Sequence, residues 1–243
     1  MKGRRVLVTG ASSGIGFQIA LDFLRNGAIV GAHYNSNQDG ARSLLKHAEP
    51  GQCQTFQSDF NYSSEVNRLW EKFINWSHGI DVLVNNAGAT VTPVPLDQLQ
   101  DDAWDSTFQV NVKAPFLLSR AALALMSEQG WGKIINISSI GVKFGGGLNT
   151  VHYSASKAAL EALTISFSRA GAPHNVLVNT VRAGVTNTPF HRKIGRDDLS
   201  ERASLIPLKR VAEPKEISEA VLFLASDKAS YITGSTITVA GGE

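Results

Sequence analysis

Residues 4–34, RRVLVTGASSGIGFQIALDFLRNGAIVGAHY, decide the architecture. The run RRVLVTG is short, apolar and β-branched, the pattern of a strand. GIGFQIALDFLRNG carries apolar residues at helical spacing and closes at Gly27, and AIVGAHY reads as a second strand. The three form a βαβ unit. Its first turn, TGASSGIG at residues 9–16, holds Gly10, Gly14 and Gly16. Such glycines allow a tight turn and close backbone approach to a ligand, while the helix start offers free N–H groups and a positive dipole end to a pyrophosphate. Glycines so spaced also serve simply to turn a strand into a helix. Their place at the carboxyl end of the first strand, with no GxxxxGK(S/T) lysine motif, favours a dinucleotide cradle.

The alternation continues through CQTFQ, a helix around Val66 to Trp76, DVLVNNAG, a long helix from about Asp101 to Gln129, GKIINIS, a helix after Tyr153, and NVLVNTV. Near-continuous apolar strands of this kind belong to a parallel sheet with helices on both faces. The expected fold is therefore α/β, a single-domain Rossmann-like doubly wound sheet over residues 1–243. A chain of 243 residues, 43% hydrophobic and 18% charged, is long enough to bury one such core. No repeat or linker interrupts it. The polar stretch at about 182–209, with charges of both signs, is expected to be a long irregular loop that serves the substrate.

Composition narrows the function classes. A net charge of +2 without a basic block lacks the footprint of a nucleic-acid binder. Cys53 is the single cysteine, so no disulfide framework is present; without metal-ligand spacing around it, it reads as a small buried hydrophobe, and no metal site is expected. No apolar run reaches the roughly 20 residues that cross a bilayer, which points to a soluble cytoplasmic protein with no membrane partner.

Further candidates fall at the same edge of the sheet. Asp59 follows the third strand, NNAG (residues 85–88) the fourth, and NISS (residues 136–139) closes the fifth. Each also has a plain reading: Asp59 as a turn cap, Asn85 and Asn86 in local turn bonds, Ser138 and Ser139 as strand ends. Asn111, in QVNVKAPF, sits inside a long helix where asparagine is a mediocre former, so it marks either a kink with a backbone hydrogen bond or a functional position. In VHYSASKAALEAL, Tyr153 lies four residues before Lys157. Residues so spaced share a helix face with Cβ atoms about 5–6 Å apart, so the Lys157 ammonium is expected to favour tyrosinate at Tyr153, a phenol that otherwise titrates near pH 10.

TGASSGIG, NNAG, Asn111, NISS and YSASK occur in the order and approximate spacing of the short-chain dehydrogenase/reductase family. The likeness runs the length of the chain, and IPLKRVAEPKEISEAVLFLAS with YITGSTITVAGG resembles the tail of the subgroup containing 3-oxoacyl-(acyl carrier protein) reductases and glucose dehydrogenases. The resemblance implies hydride transfer between a nicotinamide cofactor and a small-molecule alcohol or ketone. Tyr153 would be acid or base, Ser139 would hydrogen-bond the substrate oxygen, Lys157 would hold the nicotinamide ribose, and Asn111 would anchor a water chain to Lys157. It implies cofactor contacts from Gly10, Ser12, Ser13, Gly14, Ile15, Gly16, Tyr34, Asn35, Asp59, Phe60, Asn86, Ala87, Gly88, Gly184, Thr186 and Thr188, besides Tyr153 and Lys157. It also implies a homotetramer, in which the small-residue runs SRAALALM and SASKAALEALTISF would pack across two-fold axes.

The chain departs from that family in places. Ser139 stands one residue further from Tyr153 than is common. Ala183 replaces the usual proline before Gly184, with Arg182 ahead of it, so the following loop is expected to be less rigid. Ala240 takes the place of a common aspartate. At the end of the second strand Tyr34 occupies the position of the carboxylate that selects NAD(H), and Asn35, Ser36 and Asn37 follow it, so NADP(H) is expected to be preferred and NAD(H) possible. The loops at 90–95, 142–152 and 190–206 do not separate a sugar, a keto ester, a steroid or a β-ketoacyl thioester, and His152 is expected to be a partly exposed residue at the helix start. The rival reading is a catalytically idle nucleotide-binding regulator, which would have no need to keep Asn111, Ser139, Tyr153 and Lys157 together.

Overall fold

The computed structural model describes residues 1–88, 93–193 and 198–243. Its sheet has the strand order β3-β2-β1-β4-β5-β6-β7, all parallel. The strands are β1 (Arg5–Val8), β2 (Ile29–Tyr34), β3 (Cys53–Gln57), β4 (Val82–Asn85), β5 (Gly132–Ser139), β6 (Val176–Ala183) and β7 (Thr236–Val239). The chain steps outward from β1 through β2 to β3, then returns to lay β4 on the other side of β1, with Val6 opposite Val82 and Val8 opposite Val84. That reversal opens a crevice beyond the carboxyl ends of β1 and β4, the usual place for a ligand in an open α/β sheet.

Successive strand residues face opposite ways, so β1 feeds two cores. Val6 and Val8 pack with Ile19 and Phe23 of α1 (Gly14–Arg25) and with Val221 and Leu224 of α9 (Pro214–Ala225). Leu7 points to the other side, against Phe73 of α3 (Ser63–Ser77) and Leu118 and Met126 of α5 (Ala114–Gln129). All are buried. Burial on both faces is why the central strands carry almost no polar alternation.

The helix expected over residues 101–129 divides into α4 (Asp101–Phe108), a π-helical turn at Gln109–Lys113 and α5. The stretch at 182–209 is more regular than expected. Strand β6 continues through Arg182 and Ala183, paired with Ser138 and Ser139 on one side and Thr238 and Val239 on the other. Short helices α7 (Pro189–Lys193) and α8 (Ser200–Leu205) follow, after α6 (Val151–Gly171). Charge at Arg182 is no loop signal here, because Glu161 pairs with it. Cys53 is half-buried on the edge strand β3, and burial pushes its thiol up to about 11, so it is protonated at neutral pH. Among the described residues no helix is long and apolar enough to cross a membrane.

The inner face of α6 is polar. Lys157, Glu161, Thr164 and Ser168 follow one another at helical spacing, and the first three hydrogen-bond the sheet or its side chains. Thr164 accepts from Asn136 of β5 at 2.8 Å and lies 2.8 Å from Thr180 of β6. These bonds are directional, so they set the register of α6 on the sheet more narrowly than apolar contact does.

Candidate active site

A crevice of about 1040 Å³ runs across the carboxyl ends of the strands. It is lined by Gly10, Ser12, Ser13, Gly14, Ile15 and Gly16 from the first turn, by Asn35, Asp59, Phe60, Asn86, Ala87 and Gly88 from the next strand ends, and by Ser139, Tyr153, Lys157, Gly184, Thr186 and Thr188 at the far end. Two candidates stand outside this lining, Tyr34 and Asn111. Tyr34 is buried at 5% exposure, and at the end of β2 it is His33, Asn35, Ser36 and Asn37 that face the crevice. The reason is the strand's alternation, which sends neighbouring side chains to opposite faces.

The first turn is braced from β4. Thr9 Oγ1 accepts the backbone N–H groups of Asn86 and Ala87 at 2.9 and 3.0 Å, and Asn86 Nδ2 donates to the carbonyls of Thr9 and Gly10 at 2.9 and 3.1 Å. Asn86 thus makes long-range bonds, not local turn bonds. Asp59 does cap its own turn, accepting from Asn61 N at 3.0 Å and Asn61 Nδ2 at 2.9 Å, while also lining the crevice. Gly10 has φ +65°, and a Cβ on Gly16 would lie 2.2 Å from the Gly10 carbonyl oxygen, so the turn closes on itself only with glycine there. Ser13, the N-cap of α1, makes no side-chain capping bond, which leaves first-turn N–H groups facing the crevice. A bare glycine turn over open helix-end donors fits the pyrophosphate of a dinucleotide.

His33 is a site residue that motif reading missed; its only sequence signal is a histidine inside an apolar strand. Its Nδ1 accepts the Gly10 N–H at 3.1 Å, its Nε2 lies 3.0 Å from the Ser58 carbonyl oxygen, and its ring stacks on Phe60 with centroids 4.1 Å apart. The two partners demand a neutral imidazole with the proton on Nε2. Burial agrees, pulling the imidazole down to about 4 against the smaller upward pull of the Ser58 bond.

At the far end, α6 carries Tyr153 and Lys157 on one face, with the Lys157 Nζ 5.8 Å from the centre of the phenol ring. Nζ donates to the Ile137 carbonyl at 2.8 Å, and burial brings the ammonium down to about 8. Burial pushes the Tyr153 hydroxyl above its ordinary value, and its hydrogen bond with Ser139 draws it partly back. The expectation that Lys157 would favour tyrosinate is thus corrected for the protein on its own: loss of water around the phenol outweighs the other effects, and Tyr153 rests as an acid. Asn111 sits in the π-helical turn, fully buried, and donates to Ser156 Oγ at 2.9 Å; that hydroxyl donates to the Tyr153 carbonyl at 2.7 Å. A Cβ on Gly88 would lie 3.6 Å from Asn111 Oδ1 and 3.7 Å from Lys157 Nζ, so both head groups lie against Gly88.

Three further expectations change. His152 is buried at 2% exposure, not partly exposed, because α6 begins packed against the protein; its Nδ1 has no hydrogen-bond partner among the described residues, and burial lowers its pKa. Arg182 is not a loose lead into the loop: it is tied to Glu161, and the Gly184 N–H is held by the Val239 carbonyl at 2.9 Å. Ser138 does more than end β5, since it donates to Glu161 at 2.6 Å. Of the loops expected to meet substrate, Phe144, Thr150, Phe190, Arg202 and Leu205 line the crevice, whereas residues 90–92 and 194–197 lie outside the described residues.

Known proteins agree with this arrangement along the whole chain. The family profile described as enoyl-(acyl carrier protein) reductase matches residues 10–243. The chain is 35% identical over 244 residues to a 3-oxoacyl-(acyl-carrier-protein) reductase of Thermotoga maritima, covering 100% of this chain and 98% of the relative. It is 35% identical over 249 residues to a 3alpha-hydroxysteroid dehydrogenase of Mediterraneibacter gnavus, covering 99% and 97%. The solved acetoin dehydrogenase from Enterobacter cloacae superposes with a TM-score of 0.88 at 33% identity, covering 100% of this chain and 95% of that one. With its doubly wound sheet, glycine turn and tyrosine-lysine helix, the chain belongs to the short-chain dehydrogenase/reductase family and is an oxidoreductase acting on CH–OH or keto groups.

Proposed function

We propose that the protein is a nicotinamide-dependent ketone reductase and alcohol dehydrogenase that works through Tyr153, Lys157, Ser139 and Asn111 and prefers NADP(H). The observation that carries this reading is the placement of a half-buried, protonated Tyr153 beside Ser139 at one end of a crevice whose other end is the glycine turn. A bound nicotinamide supplies or accepts the hydride. The turn at residues 10–16 and the ends of β2 and β3 hold the nucleotide half, while Gly184, Thr186 and Thr188 border the reacting half. Ser139 Oγ orients the substrate carbonyl oxygen. Tyr153 Oη passes its proton to that oxygen as the carbon is reduced, and the return path runs through Lys157 Nζ above Asn111. At neutral pH Tyr153 carries the proton that reduction consumes.

The cofactor preference follows from the end of β2. Asn35, Ser36 and Asn37 face the crevice there, and none bears a negative charge to repel a 2′-phosphate. No arginine or lysine stands at Ser13 or Asn35 to attract one strongly. The expected preference for NADPH over NADH is about 10-fold in kcat/KM, or about 1.4 kcal/mol. A ketone panel followed by NAD(P)H absorbance with both cofactors tests activity and preference together. Asn35→Arg is expected to widen the ratio. A clear NADH preference overturns the cofactor reading, and cofactor binding without turnover on any substrate turns the function toward the idle regulator.

We also propose a homotetramer. Ala158, Ala162 and Ile165 are exposed on the outer face of α6, a small-residue surface that lets a second helix approach closely. Light scattering that returns a monomer at micromolar concentration overturns it.

A further inference from the structure

Ser138, Glu161 and Arg182 form a closed charge network beside the reacting groups. Glu161 Oε1 accepts from Ser138 Oγ at 2.6 Å and Arg182 Nε at 3.0 Å, and Glu161 Oε2 accepts from Arg182 Nη2 at 2.6 Å. The side chains of Arg182 and Glu161 are 22% and 13% exposed. Each member belongs to a different element of the site. Ser138 is on β5, next to Ser139; Arg182 is on β6, directly before Ala183 and Gly184; Glu161 is on α6, one turn beyond Lys157. Ser138 and Arg182 are also paired across the sheet.

We propose that this network is a positioning clamp for catalysis: it locks the carboxyl ends of β5 and β6 to α6, so that Ser139 and the loop after Gly184 stay in register with Tyr153 and Lys157. The inference rests on the catalytic reading above. A proline before Gly184 would stiffen that loop by restricting the backbone, but Ala183 does not. The two-pronged arginine-carboxylate bond supplies the constraint instead, since a planar fork meeting a carboxylate fixes direction as well as distance. A shift of a fraction of an ångström at Ser139 or Gly184 separates the reacting atoms, whereas the nucleotide end of the crevice, on the far side of β1, has no part in the clamp.

The test separates positioning from stability. Arg182→Met strands the Glu161 carboxylate, and Glu161→Leu with Arg182→Met replaces the whole pair by apolar side chains, an exchange that spares or raises stability where breaking one partner lowers it. Arg182→Met is expected to lower kcat by about 10-fold or more while the KM for NADPH moves by less than about 3-fold. Arg182→Lys, which keeps the charge and loses the fork, is expected to fall between it and the wild type. The double variant is expected to recover the wild-type melting temperature but not kcat. Recovery of kcat together with melting temperature assigns the pair a purely structural role and overturns the clamp, as does an Arg182→Met enzyme within about 2-fold of wild type. Should Arg182→Met fail to fold, the double variant alone decides. Wild type and Tyr153→Phe are run in the same assay: unchanged turnover in Tyr153→Phe strikes the catalytic reading, whereas its loss there with full activity in the double variant strikes only the clamp.

Discussion

Tyr153→Phe is expected to lower kcat by about 10²- to 10⁴-fold, the range a positioned proton donor contributes, while NADPH affinity stays within about 3-fold of wild type. The ring is kept, so packing against its neighbours survives; Tyr153 and Phe190, for example, have ring centres 6.0 Å apart. What disappears is the phenolic proton beside Ser139. Ser139 itself remains fixed, because its Oγ also accepts the Gly141 N–H at 3.2 Å. Steady-state rates combined with cofactor titration check this. A phenylalanine enzyme that kept more than about a tenth of its activity, a barrier change below about 1.4 kcal/mol, would require another acid in the crevice. Lys157→Ala behaves differently: it removes the donor to the Ile137 carbonyl and the ammonium that lies against Gly88, so both kcat and cofactor affinity are expected to fall.

Acid is expected to destabilise the protein through His33. Its folded value of about 4 lies below the ordinary 6.5, so the unfolded chain takes up a proton first as pH falls. The stabilisation from holding it neutral is complete above pH 6.5 and drains away as pH drops through the folded value. Each tenfold difference in proton affinity between the folded and unfolded chain is worth about 1.4 kcal/mol, so this one side chain accounts for a loss on the order of 3 kcal/mol between about pH 7 and pH 4. Burial of His152 acts in the same direction, so the informative quantity is the difference between wild type and His33→Asn. Asparagine keeps a donor and an acceptor and has no proton to gain in this range. Urea unfolding of both proteins at about pH 7 and pH 4 is expected to show a much shallower acid loss in the variant. Equal losses would mean that His33 is protonated in the folded protein, in conflict with its bond from the Gly10 N–H.

The fold was legible because its signals are local. Apolar strands alternating with amphipathic helices leave few arrangements other than a parallel sheet covered on both faces, and the glycines of TGASSGIG mark its first turn through backbone geometry that other residues resist. The spacing of Tyr153 and Lys157 is likewise local, since one helical turn brings them to the same face whatever surrounds them. Asn111 was conspicuous for a related reason, as an asparagine inside a helix, and it lies in the π-helical turn at Gln109–Lys113. What only the tertiary structure decided depends on groups far apart in sequence. Alternation along β2 turned His33 toward the crevice and left Tyr34 out of its lining, a distinction that hangs on the face presented to Phe60 and Gly10. Burial, a property of the whole fold, reversed the expected effect on the Tyr153 phenol and hid His152. Arg182 looked like part of a polar loop until β6 and α6 brought it to Glu161, 21 residues away along the chain. Short-range geometry is written in adjacent residues, whereas desolvation and charge pairing belong to neighbours that only the packed sheet and helices supply.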